Sequence, residues 1–221
     1  MSTGPFPEPV VARHPAGAGG GGDPDPGAPL VVLLHGRGSS EADIVALAPH
    51  LPVGPSYVAV RAPIGEGGGY AWFANRGIGR PVAESLAATS SWFREWLDAV
   101  APPAEGRPVF LVGFSGGAAF AGGLLLADPG RWAGAAVLYG TLPFDAGVPV
   151  DDGRLAGVPV LVAQGDADTV IPRELLDRTW AYVHEGSGAA VTAVRDPGGH
   201  GISPAVLDAL AAWLVAVLPA R

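Results

Sequence analysis

Three residues of the kind that make and break acyl bonds each follow a predicted strand. Ser115 lies in GFSGG, Asp168 in QGDADTVIP and His200 in GGHGIS. When these three side chains meet, histidine can remove the serine proton while the carboxylate orients the histidine, so the serine becomes a nucleophile. The sequence therefore predicts Ser115, Asp168 and His200 as a catalytic triad.

Each residue also has a structural interpretation. Ser115 could be a serine in a glycine-rich turn, Asp168 could cap the following helix, and His200 could simply lie in a turn. Their context favours chemistry, because GFSGG passes directly from a predicted strand into a predicted helix, and such a sharp turn holds a serine side chain clear of the sheet. The chain order of nucleophile, acid and base is also that of α/β-hydrolases.

The loop after the first predicted strand of the main domain, HGRGSS, contains a candidate oxyanion donor. A serine hydrolase needs two backbone N–H groups for the oxyanion, and the sequence predicts those of Arg37 and Gly116. Gly36 and Gly38 could instead begin a dinucleotide-binding loop, but Glu41 stands at the third glycine position, where a carboxylate would repel a pyrophosphate. His35 is expected to be structural.

Composition excludes several other chemistries. The chain of 221 residues has no cysteine, and all 13 basic side chains are arginines. Without lysine there is no Schiff base, no Ser-Lys dyad and no phosphate loop ending in Gly-Lys, and without cysteine there is no thiolate nucleophile or disulfide. A net charge of −8, with no arginine cluster, argues against nucleic-acid binding.

The elements that must position these residues alternate along the chain. Short apolar runs predict six strands, and longer amphipathic patterns between them predict five helices, so we expect an α/β fold with a mostly parallel sheet and helices on both faces. The strands are predicted at 30–34, 57–60, 109–112, 135–139, 158–163 and 190–194, and the helices at 41–51, 82–100, 116–128, 172–185 and 204–218.

The N-terminal residues 1–29 are rich in glycine and proline and predict a flexible lead-in, with at most one short strand near Val10 and Val11. Residues 30–221 are expected to form a single domain. No secretion signal is visible, and the apolar stretch 205–218 is shorter than the ~20 residues of a membrane span. The sequence therefore predicts a cytoplasmic protein without stable membrane insertion.

An aromatic loop covers residues 62–81, in which Trp72 and Phe73 are adjacent. These two residues could wall an acyl pocket near the strand ends, or they could anchor the loop to the domain. The loop is too short for a large lid, which predicts an open site suited to short or medium acyl chains.

Together these motifs resemble the phospholipase/carboxylesterase family of α/β-hydrolases. The resemblance covers residues 30–221 and rests on LLHGRGSSEADIVALA, GGYAWFANRGIGRP, GFSGG, QGDADTVIP and GGHGIS. It implies a Ser-His-Asp hydrolase of a small-molecule ester or thioester that uses no metal or organic cofactor, and a homodimer is the default assembly. In the protein thioesterase branch glutamine often stands where this chain has Gly116, and an apolar residue where it has Arg37, so a small bacterial carboxylesterase is favoured.

Other activities stay open at this point. Within the hydrolases, the chain could be a lysophospholipase or an acyl-protein thioesterase. From other classes, it could be a non-catalytic binding protein with a hydrolase fold, or an NADP-dependent reductase that uses the Gly36 turn.

Overall fold

The computed structural model describes residues 6–14 and 27–219, and the strand and helix alternation predicted from the sequence is present. The strands are β1 (Val11–His14), β2 (Leu30–Leu34), β3 (Ser56–Val60), β4 (Ile64–Glu66), β5 (Gly69–Ala71), β6 (Asn75–Gly77), β7 (Arg80–Pro81), β8 (Val109–Phe114), β9 (Gly134–Leu138), β10 (Pro159–Gly165) and β11 (Ala190–Asp196). The α-helices are α1 (Glu41–Ile44), α2 (Ala83–Val100), α3 (Gly116–Ala127), α4 (Arg173–Ala181) and α5 (Pro204–Val217).

Within residues 6–14 and 27–219, seven strands form the central sheet in the order β1-β3-β2-β8-β9-β10-β11. All neighbours pair in parallel except β1, which runs antiparallel to β3. The chain passes from β2 to β3 on one side and later places β8 on the other side of β2, so the strand order switches between β2 and β8. In open α/β sheets ligands bind at the carboxyl ends of strands beside such a switch.

Helices cover both faces of the sheet, as predicted. Along β2, Leu30, Val32 and Leu34 pack against α2 and α3, whereas Val31 and Leu33 belong to the opposite core, which α5 covers. Both cores are apolar, which explains why β2 reads as a continuous hydrophobic run rather than an alternating one. None of the helices in the described part of the chain is long and apolar enough to cross a membrane.

Two predicted helices differ in the structure. The helix predicted at 41–51 is α-helical only over α1 and continues as a 3-10 helix over Val45–His50. Pro49 lies in this second part, and it lacks an N–H and crowds the carbonyl one turn earlier, so an α-helix cannot continue through it. The helix predicted at 172–185 is α4 followed by a π-helical turn over Tyr182–Gly186.

The predicted lead-in includes a segment that packs against the domain. The strand expected near Val10 and Val11 is β1, which forms one edge of the central sheet. Just before it, the Trp92 indole donates a hydrogen bond to the Pro7 carbonyl (2.8 Å), and its ring meets that of Phe6 edge-on. Residues 6–14 are therefore fixed to the domain, whereas the sequence placed them in a flexible lead-in. Residues 1–5 and 15–26 lie outside the described residues.

Removal of β1 is expected to destabilise the protein, because β3 would become an unpaired edge. A chain that starts at Pro15 loses the pairing of residues 11–14 with 57–60, and we expect its free energy of unfolding to fall by about 2–4 kcal/mol, at about 1 kcal/mol per hydrogen bond. Urea denaturation measures this change, and size-exclusion chromatography detects association through the exposed edge. A chain that starts at Phe6 is the control and should match the full protein. Equal stability of all three chains would contradict this account of β1.

Candidate active site

Ser115 lies in the sharp turn between β8 and α3, with a strained backbone of φ 54° and ψ −115°. The glycines of GFSGG permit this turn, because a Cβ at Gly113 would lie 2.3 Å from the Gly117 oxygen and a Cβ at Gly117 would lie 2.1 Å from the Leu34 oxygen. The Ser115 N–H donates to the Leu138 carbonyl of the neighbouring strand (2.9 Å), which holds the turn against β9. The predicted nucleophile therefore occupies a position that only this glycine pattern allows.

The three predicted triad residues meet at the carboxyl ends of their strands. His200 Nε2 lies 2.8 Å from Ser115 Oγ, and His200 Nδ1 lies 2.8 Å from Asp168 Oδ2. The Asp168 side chain is fully buried, and its second oxygen accepts hydrogen bonds from the N–H groups of Val170 (2.8 Å) and Ile171 (3.1 Å). Asp168 therefore holds its own loop with one oxygen and faces the histidine with the other. It does not cap the following helix, because α4 begins at Arg173 with Pro172 as its N-cap and no side-chain hydrogen bond there.

The two predicted oxyanion donors lie side by side. A Cβ at Gly116 would stand 3.2 Å from the Arg37 nitrogen, so the backbones after β2 and β8 are in close contact beside Ser115. The Arg37 loop is held from its other side by β5, because the Gly38 N–H donates to the Tyr70 carbonyl (2.9 Å) and the Tyr70 N–H donates to the Ser39 carbonyl (3.1 Å).

The Arg37 side chain forms a second link that the sequence did not reveal. Its guanidinium donates two hydrogen bonds to the Glu66 carboxylate, one of them from Nε at 2.6 Å, and Nη1 donates to the Phe73 carbonyl (2.9 Å). Glu66 ends β4 and Phe73 follows β5, so one side chain joins the candidate oxyanion loop to both sides of the β4 and β5 hairpin within the aromatic loop. No local pattern relates residues so far apart in the sequence.

With this geometry established, comparison with known proteins assigns the chain to a family. Residues 23–218 match the Phospholipase/Carboxylesterase family. The chain belongs to the phospholipase/carboxylesterase family. This assignment confirms the resemblance inferred from the five motifs and supports hydrolysis of esters.

Individual known proteins are similar to this chain over most of its length. The Bacillus subtilis protein MhqD is 26% identical over 187 residues, which make up 83% of this chain and 91% of MhqD. A carboxylesterase from Mesorhizobium loti is 28% identical with a TM-score of 0.74, covering 85% of this chain and 88% of the other. The Bacillus cereus carboxylesterase, at 23% identity, shares the fold with a TM-score of 0.78 over 95% and 94% of the two chains. These similarities confirm the α/β-hydrolase fold.

A cleft of about 580 Å³ opens beside Ser115 and His200. Apolar side chains from several loops line most of it, namely Ile44, Leu47, Phe73, Ile78, Phe114, Val170, Ile171 and Ile202. Two charged residues also line it. The Arg37 guanidinium is already bound to Glu66, and hydrogen bonds from Ser39 and Ser40 hold the pKa of Asp43 below its usual value. The cleft therefore suits an apolar, uncharged group.

Trp72 and Phe73 have different positions, although the sequence treated them as a pair. Phe73 lines the cleft, but Trp72 is 1% exposed and lies in the core between loop and helices. Its ring stacks on Phe120 (4.4 Å between centroids), and its indole N–H donates to the His35 carbonyl (2.8 Å). The prediction that Trp72 binds substrate was therefore wrong. Its hydrogen bond and its stacking hold the side chain in the core, where it anchors the loop to the domain.

His35 is the structural histidine that the sequence predicted. Its side chain is buried, Nδ1 faces the Gly36 carbonyl (2.7 Å) and Nε2 accepts a hydrogen bond from the Ala62 N–H (3.1 Å). Both ring nitrogens are therefore occupied by backbone groups, and burial lowers the pKa of His35 below its ordinary value. The neutral ring connects the ends of β2 and β3.

The dinucleotide-binding alternative for the Gly36 turn finds no support in the geometry. A Cβ at Gly36 would stand 3.1 Å from the Phe114 ring and 3.4 Å from Ser115 Cβ, so this turn packs on the serine turn. Glu41, at the third position of that pattern, is buried and forms an ion pair with Arg61 (2.6 Å).

The neutral state of His35 predicts a pH dependence of stability. Because the folded protein holds the pKa of His35 below about 6.5, the unfolded chain binds a proton first as the pH falls, and the free energy of unfolding decreases below pH ~6.5. Urea denaturation between pH 8 and 5 should show this decrease, and His35→Gln should flatten it. The control is His50→Gln at the exposed His50, which should keep the wild-type slope. An unchanged slope in His35→Gln would contradict the prediction.

Proposed function

We propose that this protein is a serine carboxylesterase that forms an acyl-enzyme on Ser115. The observation that carries the proposal is the continuous hydrogen-bonded chain from Ser115 Oγ through His200 to the buried Asp168 carboxylate, at the edge of an apolar cleft. A serine held in this way is activated by the adjacent histidine base, and the third residue orients that base.

In the first half of the proposed reaction, Ser115 Oγ attacks the ester carbonyl carbon while His200 Nε2 takes the hydroxyl proton. Asp168 holds the ring with Nδ1 protonated and stabilises the imidazolium. The tetrahedral intermediate collapses when the bond to the leaving alcohol breaks and His200 delivers its proton to that oxygen. In the second half, His200 removes a proton from water while the water oxygen attacks the acyl carbon. The resulting tetrahedral intermediate collapses when the bond between that carbon and Ser115 Oγ breaks, His200 returns its proton to Oγ, and the carboxylic acid leaves.

The negative oxygen of both intermediates would bind the N–H groups of Arg37 and Gly116. Their close approach beside Ser115 supports this role, as does the start of α3 at Gly116, where helical N–H groups lack internal partners. Gly116 offers only its backbone, so the donor strength of this site depends on how well the Arg37 loop is fixed.

The proposed substrates are uncharged esters with short or medium acyl chains. A cleft of about 580 Å³ falls within the usual range for small-molecule sites, and Phe73 and Ile78 bring apolar surface to it. The anionic Asp43 at the cleft and the engaged Arg37 disfavour an anionic acyl group. The competing activity within the family is cleavage of long-chain lysophospholipids or palmitoyl thioesters, and a series of esters of different chain length distinguishes the two. Cytoplasmic location and a homodimer remain predictions from the sequence.

The nucleophile is tested by Ser115→Ala. We expect kcat/KM for p-nitrophenyl butyrate to fall about 10⁴-fold or more, because residues of such a unit depend on one another. A fluorophosphonate probe should add its mass to the Ser115 peptide of the wild type. The matched control is Ser91→Ala, at an exposed serine on α2, which should retain both activity and labelling. Persistent hydrolysis in Ser115→Ala, or absence of labelling together with binding of NADP(H), would overturn the assignment.

Acyl-chain preference is tested with p-nitrophenyl esters from acetate to palmitate. We expect the highest kcat/KM at short or medium chains, and we expect Phe73→Ala to move the optimum towards longer chains because it widens the cleft. Trp72→Phe is the matched variant. It should keep the wild-type optimum but lower the free energy of unfolding by about 1–3 kcal/mol, since it leaves the buried His35 carbonyl without its donor. An optimum at palmitate in the wild type would contradict this view of the cleft.

A further inference from the structure

The loop that carries His200 is held at both ends by one buried carboxylate. Asp196 ends β11 and is 5% exposed. Oδ1 accepts a hydrogen bond from the Gly198 N–H (2.6 Å), two residues before His200, and Oδ2 accepts one from Ser203 Oγ (3.0 Å), three residues after it. The Asp196 carboxylate therefore bridges the two ends of the loop 197–203, which carries His200.

Tyr139 joins the same carboxylate from the direction of the nucleophile. Its hydroxyl donates to Asp196 Oδ2 and lies 3.4 Å from the Ser203 nitrogen. Tyr139 is fully buried directly after β9, and its backbone is left-handed, with φ 48°. The preceding residue, Leu138, is the one whose carbonyl accepts the Ser115 N–H. The ring of Tyr139 also meets that of His200 edge-on, 6.5 Å between centroids. Tyr139 thus connects the serine turn with the histidine loop.

The backbone near Asp196 reaches the third member of the candidate triad. The Asp166 N–H donates to the Asp196 carbonyl (2.8 Å), and the Ala167 N–H donates to the Gly198 carbonyl (3.0 Å). These bonds fix the turn that leads into Asp168 against the base of the His200 loop. The segments that carry the three candidate triad residues are therefore all linked by hydrogen bonds to Tyr139 or Asp196, or to a residue next to one of them.

The charge of Asp196 is stabilised by its hydrogen bonds. Burial acts to raise its pKa, but the donors Tyr139, Gly198 and Ser203 outweigh that effect and hold the pKa below its ordinary value. Burial and the bond to Asp196 raise the pKa of Tyr139, so its hydroxyl keeps its proton as a donor. A fully satisfied buried network of this kind rigidifies the segments that it joins.

We propose that Asp196 and Tyr139 are positioning residues for His200, which keep its Nε2 within hydrogen-bond distance of Ser115 Oγ by holding the 197–203 loop between the serine turn and α5. This proposal rests on the proposed serine mechanism. Neither residue contacts the reacting atoms. They act through His200, whose ring hydrogen bonds go to Ser115 and Asp168.

Two substitutions at Asp196 separate positioning from charge. Asp196→Ala removes all three acceptor contacts, and we expect kcat for p-nitrophenyl butyrate to fall about 10²-fold with KM changed less than threefold, because small displacements of a catalytic group have effects of this size. Asp196→Asn keeps the acceptor for the Gly198 N–H, and its amide N–H can donate to the hydroxyls of Ser203 and Tyr139. We expect it to recover kcat to within about fivefold of wild type. An Asp196→Asn variant as slow as Asp196→Ala would overturn positioning in favour of a charge effect.

Tyr139 is tested against a matched buried tyrosine. Tyr139→Phe keeps the ring but removes the hydroxyl, and we expect kcat to fall about three- to tenfold. The control is Tyr57→Phe, which removes the buried hydroxyl that donates to the Pro52 carbonyl (2.6 Å) on β3, away from the site. It should destabilise the protein to urea while leaving kcat within twofold of wild type. If Tyr57→Phe slows turnover as much as Tyr139→Phe, the effect is general destabilisation and the proposal fails.

Two further measurements keep the tests independent of the proposed function. The fluorophosphonate labelling rate of Ser115 should fall in parallel with kcat in Asp196→Ala. If wild type labels at Ser115 and Asp196→Ala labels equally fast, positioning fails while the serine mechanism stands.

If wild type neither hydrolyses esters nor labels, the proposed function fails. In that case the downfield proton resonance of the His200 Nδ1–H bound to Asp168 still tests the loop, and we expect it in wild type and Asp196→Asn and its loss in Asp196→Ala. Retention of that signal in Asp196→Ala would contradict the proposal.

Discussion

The site depends on the close approach of three backbone segments around Ser115. The serine turn, the end of β2 and the residues after β9 pack so tightly that Gly113, Gly117 and Gly140 each have a backbone oxygen within 2.7 Å of the place a Cβ would occupy. The strained backbone of Ser115 is maintained by this packing, since strain at one residue persists only where its surroundings over-determine it. The sheet thus fixes the backbone of the candidate nucleophile, so the direction of the Ser115 side chain does not depend on side-chain packing alone.

Each other part of the site is attached to this centre by bonds between segments distant in sequence. The candidate oxyanion loop touches the serine turn at Gly116 and is held from outside by the hairpin of β4 and β5. The His200 loop is attached through Asp196 and Tyr139. The candidate site residues themselves lie on the short segments that follow parallel strands, where the sheet leaves side chains free for chemistry.

The sequence was sufficient for the fold and for the residues with characteristic local patterns. GFSGG identified Ser115 because the glycines that permit the turn are adjacent to the serine, and Gly198 and Gly199 likewise marked the turn before His200. The roles of Trp72 and of the Arg37 guanidinium could not be predicted, because they depend on which way a loop residue turns and on partners such as Phe120 and Glu66 that no spacing relates to them. The helix at 41–51 was overestimated because the hydrophobic pattern continues through Pro49 while the backbone cannot.

The position of Arg37 also affects how the rate and the substrate range of this protein can change by substitution. One residue presents its N–H to the candidate oxyanion hole and its guanidinium to the carbonyl of Phe73, which walls the acyl cleft. Replacement of the Arg37 side chain keeps the N–H but removes the guanidinium that ties its loop to Phe73, so we expect rate and selectivity to change together at this position. Ile78 lines the same cleft from outside the Arg37 loop, so its substitution offers a route by which substrate range can drift while the geometry of the candidate site is kept.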